Sequence, residues 1–353
     1  MVVARWLALR LDEIDERSVV PAADSRDPDG LTAPRRLAEK RGMLPSSTWI
    51  LAEAFAGMQA QALGLTEAAG LAAEIRELRP RGIWRAIPSA LWPSPLRAIP
   101  PATLAPPLPE LLVGCGGKAA PVLAALRTRV RGVIVQHPRM DRRRFDLIIV
   151  QRHDELTGPN VLVTRTALHR AHPQRLAEAA LAWAPRLAHL PRPLVAVLVG
   201  GSNGRHRLDA RVGRALAAQL AGMMEHDRVG LMVTPSRRTD PAATRALAEQ
   251  LTPRGAMVWD GRGENPYFGM LALADAIVVT VDSVSMVSEA AATRAPVLLA
   301  QLPGHSRRGA MFLQGLVDDG RVRPYRGRFE TWAVAPIDDT AAAAQEMRHR
   351  FGY

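Results

Sequence analysis

The stretch from Ala276 to Ala300 leaves the chain few alternatives: an apolar run, a polar loop, a small-residue helix and a second apolar run follow one another without spacers. Ile277 to Val281 is the β-branched type of run that forms a buried parallel strand, and Pro296 to Ala300 repeats it after one helical segment. Two such strands joined by a helix form one unit of a doubly wound sheet. Asp282, Ser283 and Ser285 stand where the helix begins, able to cap its free amides, while those amides and the helix dipole favour a phosphate. Glu289 lies one turn beyond Ser285, so both residues can face the crevice at the carboxyl end of the sheet. Phosphate-binding groups above a carboxylate suit a nucleoside diphosphate and its ribose. The competing reading is a capped crossover helix with an exposed glutamate.

A length of 353 residues predicts two domains, and 48% hydrophobic content is enough for real cores. Lys plus Arg outnumber Asp plus Glu by 46 to 34, which directs attention to anionic partners: nucleotides, phosphorylated lipids or an acidic membrane face. No zinc-finger spacing, aromatic RNA-binding signature or long basic tail points to nucleic acid. The single Cys115 excludes an internal disulfide. No apolar run reaches the roughly 18 to 20 residues that span a bilayer. Arg10 and the five acidic residues between Asp12 and Asp24 argue against a secretory or transit signal.

In chain order, residues 1–45 read as a poorly ordered extension, followed by a first strand at Thr48 to Ala52, a turn, and a helix from Gln59 to about Leu78. Glu53 and Gln61 border the first crevice loop or lie on the helix surface. Between Pro80 and Pro109, nine prolines interleaved with Trp84, Trp92 and arginines preclude a long helix. That segment reads as a loop lying on a lipid surface or as one packed on the sheet. The run GCGGKAAP opens a helix carrying Lys118, a weak anion signal, and His153 beside Asp154 forms an acid/base pair or a structural turn. A second domain begins at about residue 189, and its first loop, GGSNGRHRLD, places Gly200, Gly201, Ser202 and Arg205 together as an anion site. Polar loops after four successive strands thus gather at one sheet edge. Thr340 to Phe351 reads as a basic terminal helix.

Four segments together carry a family resemblance: QALGL from Gln61, FDLIIVQRHDELTGPNVLVT from Phe145, VGGSNGRHRLD from Val199, and GENPYFGMLALADAIVVTVDSVSMVSEA up to Ala290. On these, residues 47 to 335 resemble the bacterial and plant family named after the mitochondrial-fission factor "elongated mitochondria", whose bacterial members are often labelled nucleoside-diphosphate-sugar epimerases or glycosyltransferases. The resemblance implies an α/β fold of two Rossmann-like domains facing a cleft, the GT-B layout. The expected organisation is an acceptor-side domain at 46–188, a nucleotide-sugar domain at 189–335 and a terminal helix at 336–353. It also implies that Ser283, Ser285 and Glu289 hold phosphates and ribose, that Gly200, Gly201 and Ser202 flank the diphosphate, and that Glu264 and Asn265 belong to the loop before the nucleotide-facing helix. Gln61 and Lys118 fall on the acceptor side. The chain departs from the family pattern in the first loop, where Phe55 and Met58 flank Gly57 in place of a lysine and a histidine. Glu53 or His153 then takes the base role, or the protein binds a nucleotide sugar without turning it over.

The expected activity is a metal-independent transfer of sugar from a nucleotide-diphosphate sugar to an envelope glycan or a lipid-linked acceptor, without a further cofactor. The expected location is cytoplasmic, with peripheral contact to an anionic inner membrane. A non-catalytic membrane-associated scaffold and a nucleotide-sugar epimerase are the alternatives.

Overall fold

The computed structural model describes residues 43–353, so most of the expected N-terminal extension lies outside the described residues. The chain builds two six-stranded parallel sheets. The first contains β1 (Thr48–Ala52), β2 (Ala73–Glu77), β3 (Leu111–Cys115), β4 (Arg131–Val135), β5 (Leu147–Gln151) and β6 (Val161–Thr164), with α1 (Ala56–Ala68) and α2 (Ala119–Leu126) between strands. After α3 (Pro173–Leu187) the second sheet begins. It runs β7 (Leu194–Val199), α4 (Ala210–Asp227), β8 (Gly230–Pro235), α5 (Pro241–Leu251), β9 (Met257–Val258), α6 (Tyr267–Leu273) and β10 (Ala276–Thr280). Then come α7 (Val284–Ala291), β11 (Val297–Ala300), α8 (Arg307–Asp318), β12 (Val322–Pro324) and finally α9 (Asp339–Phe351).

The central strands are short, largely apolar runs with every residue buried in β1, β3, β7 and β10, as a sheet covered on both faces requires. Side chains of Asp209, Asp240, Ser283, Ser306 and Asp338 cap the amino ends of α4, α5, α7, α8 and α9. Three strands depart from the sequence expectation. Ala73–Glu77, expected as the tail of the first helix, is the edge strand β2: Gly70 at φ +70° ends the helical run, and the strand is only half covered, so it lacks an apolar signature. Val161–Thr164 and Val322–Pro324 are strands without a sequence expectation; both are short and lie at sheet edges.

Strand order decides where a ligand can sit. The second sheet is ordered β12-β11-β10-β7-β8-β9, so connectivity reverses between β7 and β10 and opens a crevice at their carboxyl ends. In the first sheet, β2-β1-β3-β4-β5-β6, the reversal falls between β1 and β3. Both switch points border the same cleft. Leu187 of α3 joins the core of the second sheet, and a Cβ on Gly269 of α6 would lie 2.4 Å from the Trp183 ring, so glycine is needed where α6 meets α3. Conversely α9 returns to the first sheet, where Ala343, Ala344 and Met347 pack with Ala62 and Leu65 of α1.

The proline-rich segment forms four short 3-10 turns laid on the first core. Trp92 is buried and meets Trp84 edge to face at 6.2 Å, so the tryptophans face the protein rather than a lipid surface. Ile83 and Leu91 remain exposed. Among the described residues no helix is long and apolar enough to cross a membrane.

Candidate functional site

A cleft of about 1090 Å³ separates the two sets of carboxyl-end loops. Its first wall comprises Ala54 to Met58, Gln61, Gln136 to Arg139, Gln151, His153 and Asp154; Ser202, Asn203, Ser236 to Arg238, Tyr267, Asp282 to Met286 and Glu289 form the second. The walls meet where a Cβ on Gly57 would lie 2.8 Å from Ser285 Oγ. Arg308 of α8, 3.4 Å from Asp154, ties the second half to the first, and Ser288 Oγ accepts from the Ala167 amide at 3.0 Å.

The second wall is built around buried Asp282. Its carboxylate accepts from the Gly201 amide at 2.9 Å and from Thr280 Oγ1 at 2.7 Å, while Arg238 approaches to 3.5 Å. This corrects the expectation that Gly200 and Gly201 join an anion site, because the Gly201 amide is already engaged. The Gly200 amide is also engaged, by Thr280 Oγ1 at 2.8 Å, and neither glycine is on the cleft wall. Glycine is required there for space. A Cβ at position 200 would fall 2.2 Å from Asp282 Oδ1, and one at 201 would fall 2.2 Å from the Arg238 carbonyl oxygen. The groups left to meet an anion are the first-turn amides of Val284 and Ser285, which have no intrahelical acceptor, together with Ser285 Oγ and the guanidinium groups of Arg237 and Arg238. Among the described residues Arg237 has no ion-pair or hydrogen-bond partner. The run PSRRT after a strand was visible in the sequence, yet only the sheet shows that its loop faces the helix start.

Ser283 Oγ is used as the helix cap, accepting from the Met286 amide at 3.4 Å. Ser202 is on the wall and its Oγ accepts from the Leu208 amide at 2.8 Å, which fixes the loop. Arg205 is exposed and off the wall. Glu264 is also off it, paired outward with Arg186 at 2.6 Å. Asn265 contributes indirectly: its Oδ1 accepts from the Tyr267 amide at 3.0 Å, in the turn that leads Tyr267 into the cleft.

Glu289 is only 7% exposed, which removes the alternative of a solvated glutamate. It lines the cleft and accepts a short hydrogen bond from the Tyr267 hydroxyl. Burial pushes its carboxyl up to about 7, against the opposing influence of that hydrogen bond and of Arg170. The same burial, with the neighbouring carboxylate, raises the Tyr267 phenol. Tyr267 went unassigned because a tyrosine 22 residues from its partner has no sequence signature.

On the first wall, Glu53 is engaged by Lys118 Nζ at 2.6 Å across the β1/β3 switch point, and neither residue lines the cleft. Of the two candidate bases only His153 does. Its imidazole meets Phe312 edge to face at 6.1 Å, and burial together with Arg308 lowers its pKa against the opposing field of Asp154. The ring is therefore neutral at pH 7 and able to accept a proton. Gln61 is buried in α1 with its side-chain amide donating to the Gly57 carbonyl at 3.2 Å, and it helps close the cleft floor.

The family model described as mitochondrial fission ELM1 matches residues 56–351. The mitochondrial fission protein ELM1 of Arabidopsis thaliana is 31% identical over 271 residues, a match covering 68% of this chain and 63% of that protein. An uncharacterized protein of Rickettsia prowazekii is 26% identical over 170 residues, covering 45% of this chain and 48% of the other. The chain thus spans about half to two thirds of the length of these relatives. Among solved structures, the UDP-GlcNAc 2-epimerase of Methanocaldococcus jannaschii aligns with a TM-score of 0.53 at 11% identity, covering 86% of this chain and 98% of that one. At that identity the likeness is one of fold, and it matches the expected α/β architecture of two Rossmann-like halves in the GT-B manner.

Proposed function

The chain belongs to the mitochondrial fission ELM1 family, and from that membership and the cleft we propose that it binds a nucleoside-diphosphate sugar and transfers the sugar to an acceptor hydroxyl. The observation that carries this reading is Glu289: a buried carboxylate on the cleft wall, one turn below the free amides of a helix start, at the topological switch point of a parallel sheet. The ribose hydroxyls donate to Glu289, displacing Tyr267. The diphosphate lies against the first turn of α7, Ser285, Arg237 and Arg238, which neutralise the charge that develops as the glycosidic bond breaks, so no metal is needed for that role. His153 takes the acceptor proton. The acceptor is a glycan or lipid-linked glycan bound along the first wall, and exposed Ile83 and Leu91 beside Arg85 provide peripheral contact with an anionic membrane.

Thermal denaturation in the presence of a panel of nucleoside diphosphates and their sugars tests the donor site. A ligand at a hundredfold excess over its dissociation constant adds about 2.7 kcal/mol of stability. A melting shift with one nucleotide, lost in Glu289→Ala, is expected; no shift with any nucleotide would overturn the reading. A second reading, a non-catalytic scaffold, is favoured by one observation: the first loop presents Phe55 and Met58 to the cleft, and Phe55 is exposed. Under that reading nucleotide binds and no glycoside forms. The likeness in fold to an epimerase motivates product analysis for an isomerised nucleotide sugar released without any acceptor.

A further inference from the structure

The loop that follows β4 has a backbone that its side chains do not favour. Gln136 sits at φ +77° and Arg139 at φ +54°, two of the four non-glycine residues with positive φ among the described residues. In this left-handed region an L side chain brings its Cβ against the backbone, and glycine is the residue that fits without strain. Elsewhere the chain uses glycine for such turns, as at Gly116, Gly255, Gly261 and Gly320. Neither position is held by a need for a backbone proton that glycine lacks. The Gln136 amide donates to the Ile149 carbonyl at 2.8 Å and the Arg139 amide donates to His137 Nδ1 at 2.9 Å, and a glycine would make both bonds. What glycine would remove is the two side chains.

Those side chains belong to the first wall of the cleft, with His137 and Pro138 between them. The hydrogen bond into His137 Nδ1 fixes the neutral imidazole as the tautomer that carries its proton on Nε2, so the free edge of the ring is a donor. The Arg139 guanidinium is exposed and has no protein partner among the described residues. Asp154, which lines the same wall, is paired with Arg308 at 3.4 Å, and Asp141, two residues beyond Arg139, is paired with Arg143 at 2.9 Å. The loop therefore offers a carboxamide N–H, an imidazole N–H and a guanidinium fork.

We propose that Gln136, His137 and Arg139 form a phosphate-recognising subsite on the first wall, facing the second sheet across the cleft, and that the second substrate carries a phosphate or phosphodiester group. Assigning this phosphate to the second substrate rests on the transferase reading. The subsite itself rests on the loop. Backbone strain is retained because the side chains that cause it are used, a trade of stability for binding.

The test uses the full chain with its histidines labelled with nitrogen-15. The His137 ring signals are identified by their loss in His137→Gln, and the wild type is expected to show the Nε2–H tautomer. Titration with inorganic phosphate should move these signals saturably, and the response should vanish in Arg139→Gly. At the same time Arg139→Gly and Gln136→Gly should each melt about 1 °C higher than the wild type, because each relieves a strained position while keeping its amide. His137 signals unmoved by phosphate, an undiminished response in Arg139→Gly, or glycine variants that melt at or below the wild type would each overturn the proposal. Repeating the titration with glycerol 1-phosphate and with phosphatidylglycerol vesicles separates the sources: a response to the first assigns a soluble ester, and a response to the vesicles alone assigns a lipid headgroup. None of these readouts uses a nucleotide, so failure of the donor site leaves this result legible.

Discussion

Replacing Glu289 with glutamine isolates the energetic cost of a buried acid. Glutamine keeps an oxygen that can accept from Tyr267 and keeps the volume, but it cannot ionise. In the folded protein the Glu289 carboxyl is raised from 4.5 to about 7 by burial. Below the unfolded value both states are protonated and the residue contributes nothing to pH dependence. Between the two values the unfolded chain loses its proton while the folded protein keeps it, so stability falls as pH rises, and above the folded value the penalty is complete and constant. A rise from 4.5 to about 7, at 1.36 kcal/mol per pH unit, makes that penalty about 3 kcal/mol, most of it falling between about pH 5 and pH 8. Urea denaturation of wild type and Glu289→Gln across that range, taken as a difference, cancels the titration of all other groups. The wild type should lose ground to the variant by that amount as pH rises. A flat difference would refute the burial argument. Binding should respond in the opposite sense: ribose hydroxyls donate to the ionised carboxylate, so nucleotide affinity should strengthen as pH rises through about 7, and Glu289→Gln should lose that dependence.

Buried Arg321 clamps the far end of α7, donating to the carbonyls of Ala290, Ala291, Thr293 and Ala295 at 2.9 to 3.1 Å. In Arg321→Met, Ala290 and Ala291 keep other donors, Thr293 and Ile337, while the carbonyls of Thr293 and Ala295 lose this donor, so a loss of about 3 kcal/mol is expected in urea denaturation. Gly200→Ala places a methyl group 2.2 Å from the Asp282 carboxylate and should cost about 3 kcal/mol or more in the same assay, together with nucleotide affinity, because the loop must move. Gly57→Ala pushes on Ser285 Oγ from across the cleft, where a hydroxyl can rotate away; stability should change by less than about 1 kcal/mol while donor affinity falls, measured by titration calorimetry. His153→Gln should abolish turnover and leave nucleotide binding intact. The wild-type acid limb of kcat/KM should lie below the usual histidine value of 6.5, since burial lowers this imidazole.

Much of the second half was legible because its signals are local. A β-branched run, a capping serine and a glutamate one turn on are all contained within Ala276 to Ala300, and each requires only neighbours in sequence. The first half was less legible where contacts are distant. Edge strand β2 has no buried face to impose an alternation, and the engagement of Glu53 by Lys118 depends on β1 and β3 being adjacent in space. The glycine pair at 200 and 201 was legible as a loop after a strand, but its purpose depends on Asp282 lying against it from 81 residues away, which no spacing rule reveals. Gln136 and Arg139 escaped notice because positive φ at a polar residue leaves no trace in composition.

Helix α9 has a consequence for synthesis. Ala343, Ala344 and Met347 complete the packing on α1 and the first sheet, although more than a hundred residues of the second sheet are made between them and β6. The ribosome therefore releases a first half whose outer face, around Ala62 and Leu65, stays uncovered until residue 347 has emerged. For that interval the nascent chain presents an apolar strip fitted to a single amphipathic helix. The second half, though later in the sequence, is complete first: the last residue of its core, Ile337, is made before Met347.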